Sequence, residues 1–488
     1  MRAEMHGWIG VGMVAWMIAA RPAHAQTPDA ITLDLAVHAA LMQNARVVNE
    51  RDAVEQAALF RHAARNVYRP KLVPNVQGSL GQTDAAAQTY RVDFLQRTTS
   101  GTEVRAGFGA SSAQIPSTTD PAGELHFYNA DTSLTIVQPL LRGLGRNVAR
   151  RSLTTAEVRY DDARAGLGRT EQLLALDVAA GFFRVIEQQT LSDVSSKSVE
   201  RSEQVLQIAE AKLKAGLVSQ LDVLRARQLV AEARLQLEDA RFAVDSARDD
   251  LAVLMGRTAT SPFDVVGEIP APMTGPSIDE ALAVARDRRA DLQRATLGTR
   301  DADRTVAYFR NQLLPQMDLS VGLTRRETAP NLSESIRTGR FKLATFFTVS
   351  LPVDRTPQLV DYQNAMIERD RRRRDAEVLE QSVATEVKRA VREIQRLTRM
   401  VDAVSASVDL AREEVDIANF RYARGLLSSL EVTSAEGGLV AAEGRLITAR
   451  AEAAMAGYRL KVVTGTLEPA RDFASSGAPA LTQAGVSR

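Results

Sequence analysis

Hydrophobic residues recur along this chain with two different periods, and the periods divide it into parts. Over residues 317–323, Met317, Leu319, Val321 and Leu323 alternate with Asp318, Ser320 and Gly322. That is the spacing of a strand with one apolar face. Phe341, Leu343, Phe347, Val349 and Leu351 repeat it, as do Leu72, Val76 and Leu80, and then Leu134, Ile136 and Leu140. The pattern predicts strands at about 72–81, 131–141, 316–325 and 341–351, with an extra hairpin at about 90–109. Elsewhere the apolar spacing is helical: Leu173, Leu176, Ala180 and Phe183, then Val199, Leu206 and Leu213. No proline interrupts residues 147–214 or 358–424. Each stretch can therefore run as one helix of some 65 residues, about 100 Å at 1.5 Å per residue.

These elements occur twice. "AKLKAGLVSQLDVL" (211–224) is echoed by "FRYARGLLSSLEVT" (420–433), with Gly216 matched by Gly425, Leu221 by Leu430 and Asp222 by Glu431. Residues 212–256 slide onto 421–465 without a gap, and roughly a third of the positions are identical, which marks an internal repeat. "TLDLAVHAAL" (32–41) answers "SIDEALAVAR" (277–286), and Pro70 stands opposite Pro315. The expected division is a first repeat over 26–256, with a helical hairpin at 147–256, and a linker over 257–276. A second repeat follows over 277–466, with a hairpin at 358–464, and then a flexible tail over 467–488. The glycines at 216 and 425 should reverse the chain tightly between antiparallel helices.

Four strands cannot close on themselves, because even the smallest membrane barrels have about eight. Three chains would supply twelve and leave no unpaired edge. The hairpin at 90–109 is expected to extend strands beyond the membrane rather than add to that count.

Composition narrows the setting. Residues 1–25 read as a signal peptide: Arg2, an apolar run from Gly7 to Ala20, then Ala23-His24-Ala25 before Gln26. Past it there is no apolar stretch of about 18 residues, which excludes a helical inner-membrane protein. Cysteine is absent, so disulfides, thiolate metal sites and a cysteine nucleophile are excluded. With 61 basic and 60 acidic residues the chain has no global field to attract nucleic acid. Arg371 to Arg374 lie among Glu368, Asp370 and Asp375 and read as a charge-paired helix face. His38, His62 and His126 are not spaced as metal ligands, and no hydrolase or metalloprotease motif occurs. No enzyme, cofactor or metal site is expected.

The signal peptide, the two repeats of helix, strand pair and helical hairpin, "IVQPLLRGLGRN" (136–147) between strand and helix, and the twin turns "AGLVSQLDV" and "RGLLSSLEV" together resemble the outer membrane efflux protein family, the TolC-like ducts. The resemblance covers roughly 30–466. It implies a mainly α fold with membrane β: a homotrimer in which a twelve-stranded outer-membrane β-barrel, four strands per protomer, is continuous with a periplasmic α-helical barrel. It implies passive conduction in a tripartite efflux or type I secretion system, with a periplasmic adaptor and an inner-membrane pump of RND, ABC or MFS type as partners. By the same resemblance Gly216, Leu217, Val218, Gly425, Leu426 and Leu427 form the adaptor-docking tip. Tyr422 and Asp222 form a pair that holds the tip closed, and Leu427 stands where an arginine often helps. Glu431 is one member of an acidic ring whose second position is Ser434 here. From the residues alone, Glu431 and Asp222 also fit ordinary helix-start acids, and the turns fit simple punctuation. An exported coiled-coil structural or adhesin protein is the alternative, although it leaves the amphipathic strands without a purpose.

Overall fold

A computed structural model describes residues 29–79, 86–116, 124–258 and 263–473. The signal peptide, Leu80 and residues 474–488 of the expected tail lie outside the described residues.

The first repeat runs β1 (Asp29–Ile31), α1 (Leu33–Gln43), α2 (Ala45–Asn66), β2 (Lys71–Gly78), β3 (Ala86–Arg97), β4 (Glu103–Pro116), β5 (Glu124–Pro139), α3 (Arg146–Ala149), α4 (Arg151–Lys214) and α5 (Gln220–Leu254). The second runs β6 (Phe263–Val265), α6 (Ile278–Arg288), α7 (Ala290–Gln312), β7 (Gln316–Ala329), α8 (Leu332–Arg337), β8 (Lys342–Ser350), α9 (Thr356–Ala423) and α10 (Ser429–Thr464), followed by α11 (Pro469–Asp472). Each repeat is built on one uninterrupted helix, α4 of 64 residues or α9 of 68. The helices laid beside it are split in two: α2 and α5 pack along α4, and α7 and α10 along α9. At the break, the Asn44 side-chain amide donates to the Leu254 carbonyl at 2.9 Å, joining the end of α5 to the start of α2.

The sheet departs from expectation. Its order is β2-β3-β4-β5-β7-β8, and every neighbouring pair is antiparallel. The sheet thus holds six strands, the four expected and the two of the extra hairpin, and β3 and β4 lie between β2 and β5, a position the alternation did not reveal. The physical reason is that a period of two shows which face of a strand is apolar but not which neighbour completes its backbone hydrogen bonds. Here β3 and β4 each find partners on both sides. One face carries Leu72, Val76, Tyr90, Phe108, Ile136 and Val349, all exposed in the single chain.

Three features escaped the periodic reading. β1 and β6 form a short parallel pair, Ala30 opposite Asp264, so the stretch expected as a linker carries a strand. α8 fills the connection between β7 and β8. The start of the expected tail is ordered as well: Leu467 and Phe473 are fully buried, and Phe473 stacks on Tyr458 at 5.1 Å between centroids.

The largest apolar cluster sits beside that break, where Val37, Phe182, Phe183, Leu251, Met255, Phe263 and Phe473 meet. A second follows Val383, Val387, Val391, Ile394 and Leu397 along α9 against α10 and α6, the three-to-four spacing of a helix stripe. Arg289, buried between α6 and α7, is held by Asp291 at 2.6 Å, Glu386 at 2.7 Å and the Val463 carbonyl at 3.2 Å. In the basic run, Arg372 pairs with Glu368 at 2.8 Å and Arg373 reaches Asp303 on α7 at 2.9 Å.

Candidate functional site

The two helical hairpins end side by side, about 100 Å of helix away from the sheet. Both turns are built alike. Gly216 has φ +72° and Gly425 φ +77°, the left-handed region that a Cβ makes costly. The Gly216 N–H donates to the Leu213 carbonyl and the Leu217 N–H to Lys212, both at 2.9 Å; Gly425 donates to Tyr422 and Leu426 to Arg421, both at 3.0 Å. This is the paired bonding that closes a helix end through a left-handed residue. In such an end the residue after the glycine commonly packs back on its own helix. Here it does not: Leu217 is 74% exposed and Leu426 71%. Val218 and Leu427 are half-buried, and Leu427 packs against the apolar cluster of Val205, Val415, Ala418, Tyr422 and Val432.

The return helices start with matching caps. The Ser219 hydroxyl and N–H donate to Asp222 Oδ2 at 2.7 and 3.1 Å. The Ser428 hydroxyl and N–H donate to Glu431 Oε2 at 2.7 and 2.8 Å. These bonds hold both carboxyls below their ordinary range. Glu431 and Ser434 are exposed on α10.

Tyr422 and Asp222 come close but form no hydrogen bond. Asp222 Oδ1 instead accepts from the Ser429 hydroxyl at 3.4 Å, which crosses from one hairpin to the other. Tyr422 is buried, and its hydroxyl has no hydrogen-bond partner. Burial first, and then the charge of Asp222, push its pKa up. The Lys212 ammonium donates to the Tyr422 carbonyl and lies 4.0 Å from the centre of its ring, with its own pKa lowered by burial. Lys212 and Ser429, unremarked in the sequence, are thus the cross-hairpin partners.

Further up, a buried ion pair joins the hairpins. Arg201 Nε on α4 donates to Glu436 Oε2 on α10 at 2.7 Å. Glu436 is 2% exposed, and its Oε1, Arg201 Nη2 and the Ser202 hydroxyl have no partner. A signal was available: Glu436 lies four residues after Val432 and three before Leu439, on the buried stripe of α10.

The match to known proteins bears on this arrangement directly. The family model described as outer membrane efflux protein matches residues 103–257 and 281–466, more than half of the chain and both hairpin turns. The chain belongs to the outer membrane efflux protein family. It is accordingly an outer-membrane protein extending into the periplasm, in a family of efflux proteins rather than of enzymes. The toluene efflux pump outer membrane protein TtgF of Pseudomonas putida is 24% identical over 308 residues, 60% of this chain. The fusaric acid resistance protein FusA of Burkholderia cepacia is 29% identical over 117 residues, 24% of this chain. The chain spans 61% of TtgF and 21% of FusA in these alignments. The structure of outer membrane protein VceC from Vibrio cholerae matches 89% of this chain and 96% of its own, at a TM-score of 0.66 and 16% identity. That likeness shows a TolC-like channel fold.

Proposed function

We propose that this chain is one protomer of a homotrimeric outer-membrane exit duct in a tripartite efflux or type I secretion system. It passively conducts what an inner-membrane pump of RND, ABC or MFS type delivers through a periplasmic adaptor. One observation carries the reading: a sheet with an exposed apolar face stands at one end of long helices whose other end presents two exposed leucine turns. Six strands are too few to close alone. The apolar side chains left exposed on the helices, among them Leu235 and Phe242 on α5 and Ile367 and Leu410 on α9, suit burial against further copies. An exported coiled-coil protein would have no use for the apolar face of the sheet.

In this reading Gly216, Leu217, Val218, Gly425, Leu426 and Leu427 are where the adaptor docks. Leu217 and Leu426 are the apolar anchors. Asp222, Tyr422, Glu431 and Ser434 belong to the aperture at the tip, and threefold symmetry would gather three Glu431 carboxylates around one axis. The test is Leu217→Asp combined with Leu426→Asp. Export is expected to be abolished while light scattering still reports a detergent-solubilised trimer. Undiminished export would reduce the turns to punctuation.

A further inference from the structure

We propose that β3 and β4 are staves of the barrel wall, so that three chains close eighteen strands rather than twelve and enclose a correspondingly wider exit. The inference rests on the trimeric duct proposed above.

The register carries it. β3 pairs with β2 from Lys71 opposite Leu95 to Gly78 opposite Gln88, and β4 pairs with β5 from Glu103 opposite Val137 to Pro116 opposite Glu124. A hairpin standing above the membrane would leave β2 and β5 to pair with each other; here they do not touch in the ladder. Following the pairs across all six strands gives the row Leu72, Phe94, Ala106, Leu134, Leu323 and Leu343. It is apolar without interruption, so the inserted strands carry the same lipid-suited face at the same height as their neighbours. Three residues along, the opposite face reads Asn75, Arg91, Gly109, Asp131 and Arg326, the composition of a watered lumen. β3 has 12 residues and β4 has 14, each more than the 9–11 or so that a tilted strand needs to cross a membrane.

A charged clasp on the lumenal face fixes the insertion. Arg91 on β3 donates from Nε to Asp93 at 2.8 Å and from Nη1 to Asp131 on β5 at 2.9 Å. It reaches β5 by lying across β4, where two glycines leave the space. A Cβ at Gly107 would stand 2.6 Å from Arg91 Nη2, and one at Gly109 2.5 Å from Asp131 Oδ1. The clasp thus ties β3 to β5 over β4, an arrangement with no purpose in a hairpin that leaves the wall.

Closure also works. Adding two strands preserves the antiparallel alternation, so the free edges remain β2 and β8, and β8 of one copy can meet β2 of the next in antiparallel fashion. With strands about 4.8 Å apart and tilted by about 40°, the backbone radius is about 12 Å for twelve strands and about 18 Å for eighteen. The enclosed cross-section rises roughly twofold.

The test uses the absence of native cysteine. Phe108→Cys on β4, Val92→Cys on β3 and Leu134→Cys on β5 each accept a single spin label in the full trimer in phosphatidylcholine liposomes. All three labels are expected within the hydrocarbon layer, relaxed by oxygen dissolved in the lipid and shielded from an aqueous nickel chelate. Labels at 92 and 108 that respond to the chelate, with the one at 134 in lipid, would overturn the proposal. A cryo-EM reconstruction of the unlabelled trimer should count eighteen strands; twelve would overturn it. Light scattering on the same sample tests the trimer separately, so a failure of the duct reading is distinguishable from a failure of the strand count.

Discussion

Arg201 and Glu436 join the two hairpins by a buried pair whose partners differ in access to water, and that difference predicts an asymmetry. The Glu436 side chain is 2% exposed and the Arg201 side chain 25%. Arg201→Leu strands a carboxylate in an apolar helix interface, and breaking a buried pair from one side costs about 3–5 kcal/mol. Glu436→Leu instead strands a guanidinium that can slide along its aliphatic stem toward solvent, at about 1–2 kcal/mol. The double variant Arg201→Leu with Glu436→Leu removes both charges and should lie within about 1 kcal/mol of the native protein. Amide hydrogen exchange of α4 and α10 in the detergent-solubilised trimer reads these costs as local opening. Exchange near 198–209 and 429–442 should accelerate by roughly one hundred to several thousandfold in Arg201→Leu, far less in Glu436→Leu, and hardly at all in the double variant. Equal effects of the two single substitutions, or a double variant as destabilised as Arg201→Leu, would refute the reasoning.

Three further outcomes are expected at the tip. Tyr422→Phe removes a buried hydroxyl that has no partner, so thermal stability should be unchanged or slightly higher; a loss above about 1 kcal/mol would mean that the hydroxyl bonds Asp222 after all. Glu431→Gln should lower the cation preference of the channel in planar bilayers, since the field of a carboxylate ring acts over about 10 Å at 0.1 M salt; an unchanged reversal potential would leave Glu431 as a helix-start acid alone. Asp222 and Glu431 have carboxyls lowered by their capping serines, so their contribution is complete above the ordinary carboxylate pKa and is lost as pH falls through the lowered values. Helix protection at 219–223 and 428–432 should therefore hold from pH 8 to 5 and decline only in more acidic buffer; a decline beginning near neutrality would contradict the caps.

The long helices, the twin turns and the duplicated order were legible because each is periodic and local. Helical spacing persists over many turns in α4 and α9, and the glycines at 216 and 425 mark the only conformation that reverses them so tightly. What escaped was non-local or short. Alternation in 90–109 revealed an apolar face, yet whether that hairpin flanks its neighbours or separates them depends on ladders with β2 and β5. β1 and β6 have three residues each, too few to show any period. Glu436 and Arg289 resemble the solvated charges around them in a chain that is one-quarter charged, and only their register against buried neighbours sets them apart. At the tip, the tyrosine and the acid were located, but their partners Lys212 and Ser429 come from the opposite hairpin, which no spacing along one helix can announce.

The unbroken α4 and α9 also act as length gauges. Their 64 and 68 residues fix the separation of sheet and turns at about 1.5 Å per residue, with no joint at which the distance could be adjusted. Adding one residue to either helix would turn everything beyond it by about 100° and rotate the buried stripe away from its neighbours. Reach can therefore grow only in increments near seven residues, about 10 Å each. Each increment has to be made in α4 and α9, and again in the shorter helices beside them, or the two turns no longer end at the same level. The span of periplasm that this protein can bridge is set by counting residues, in coarse steps that all helices take together.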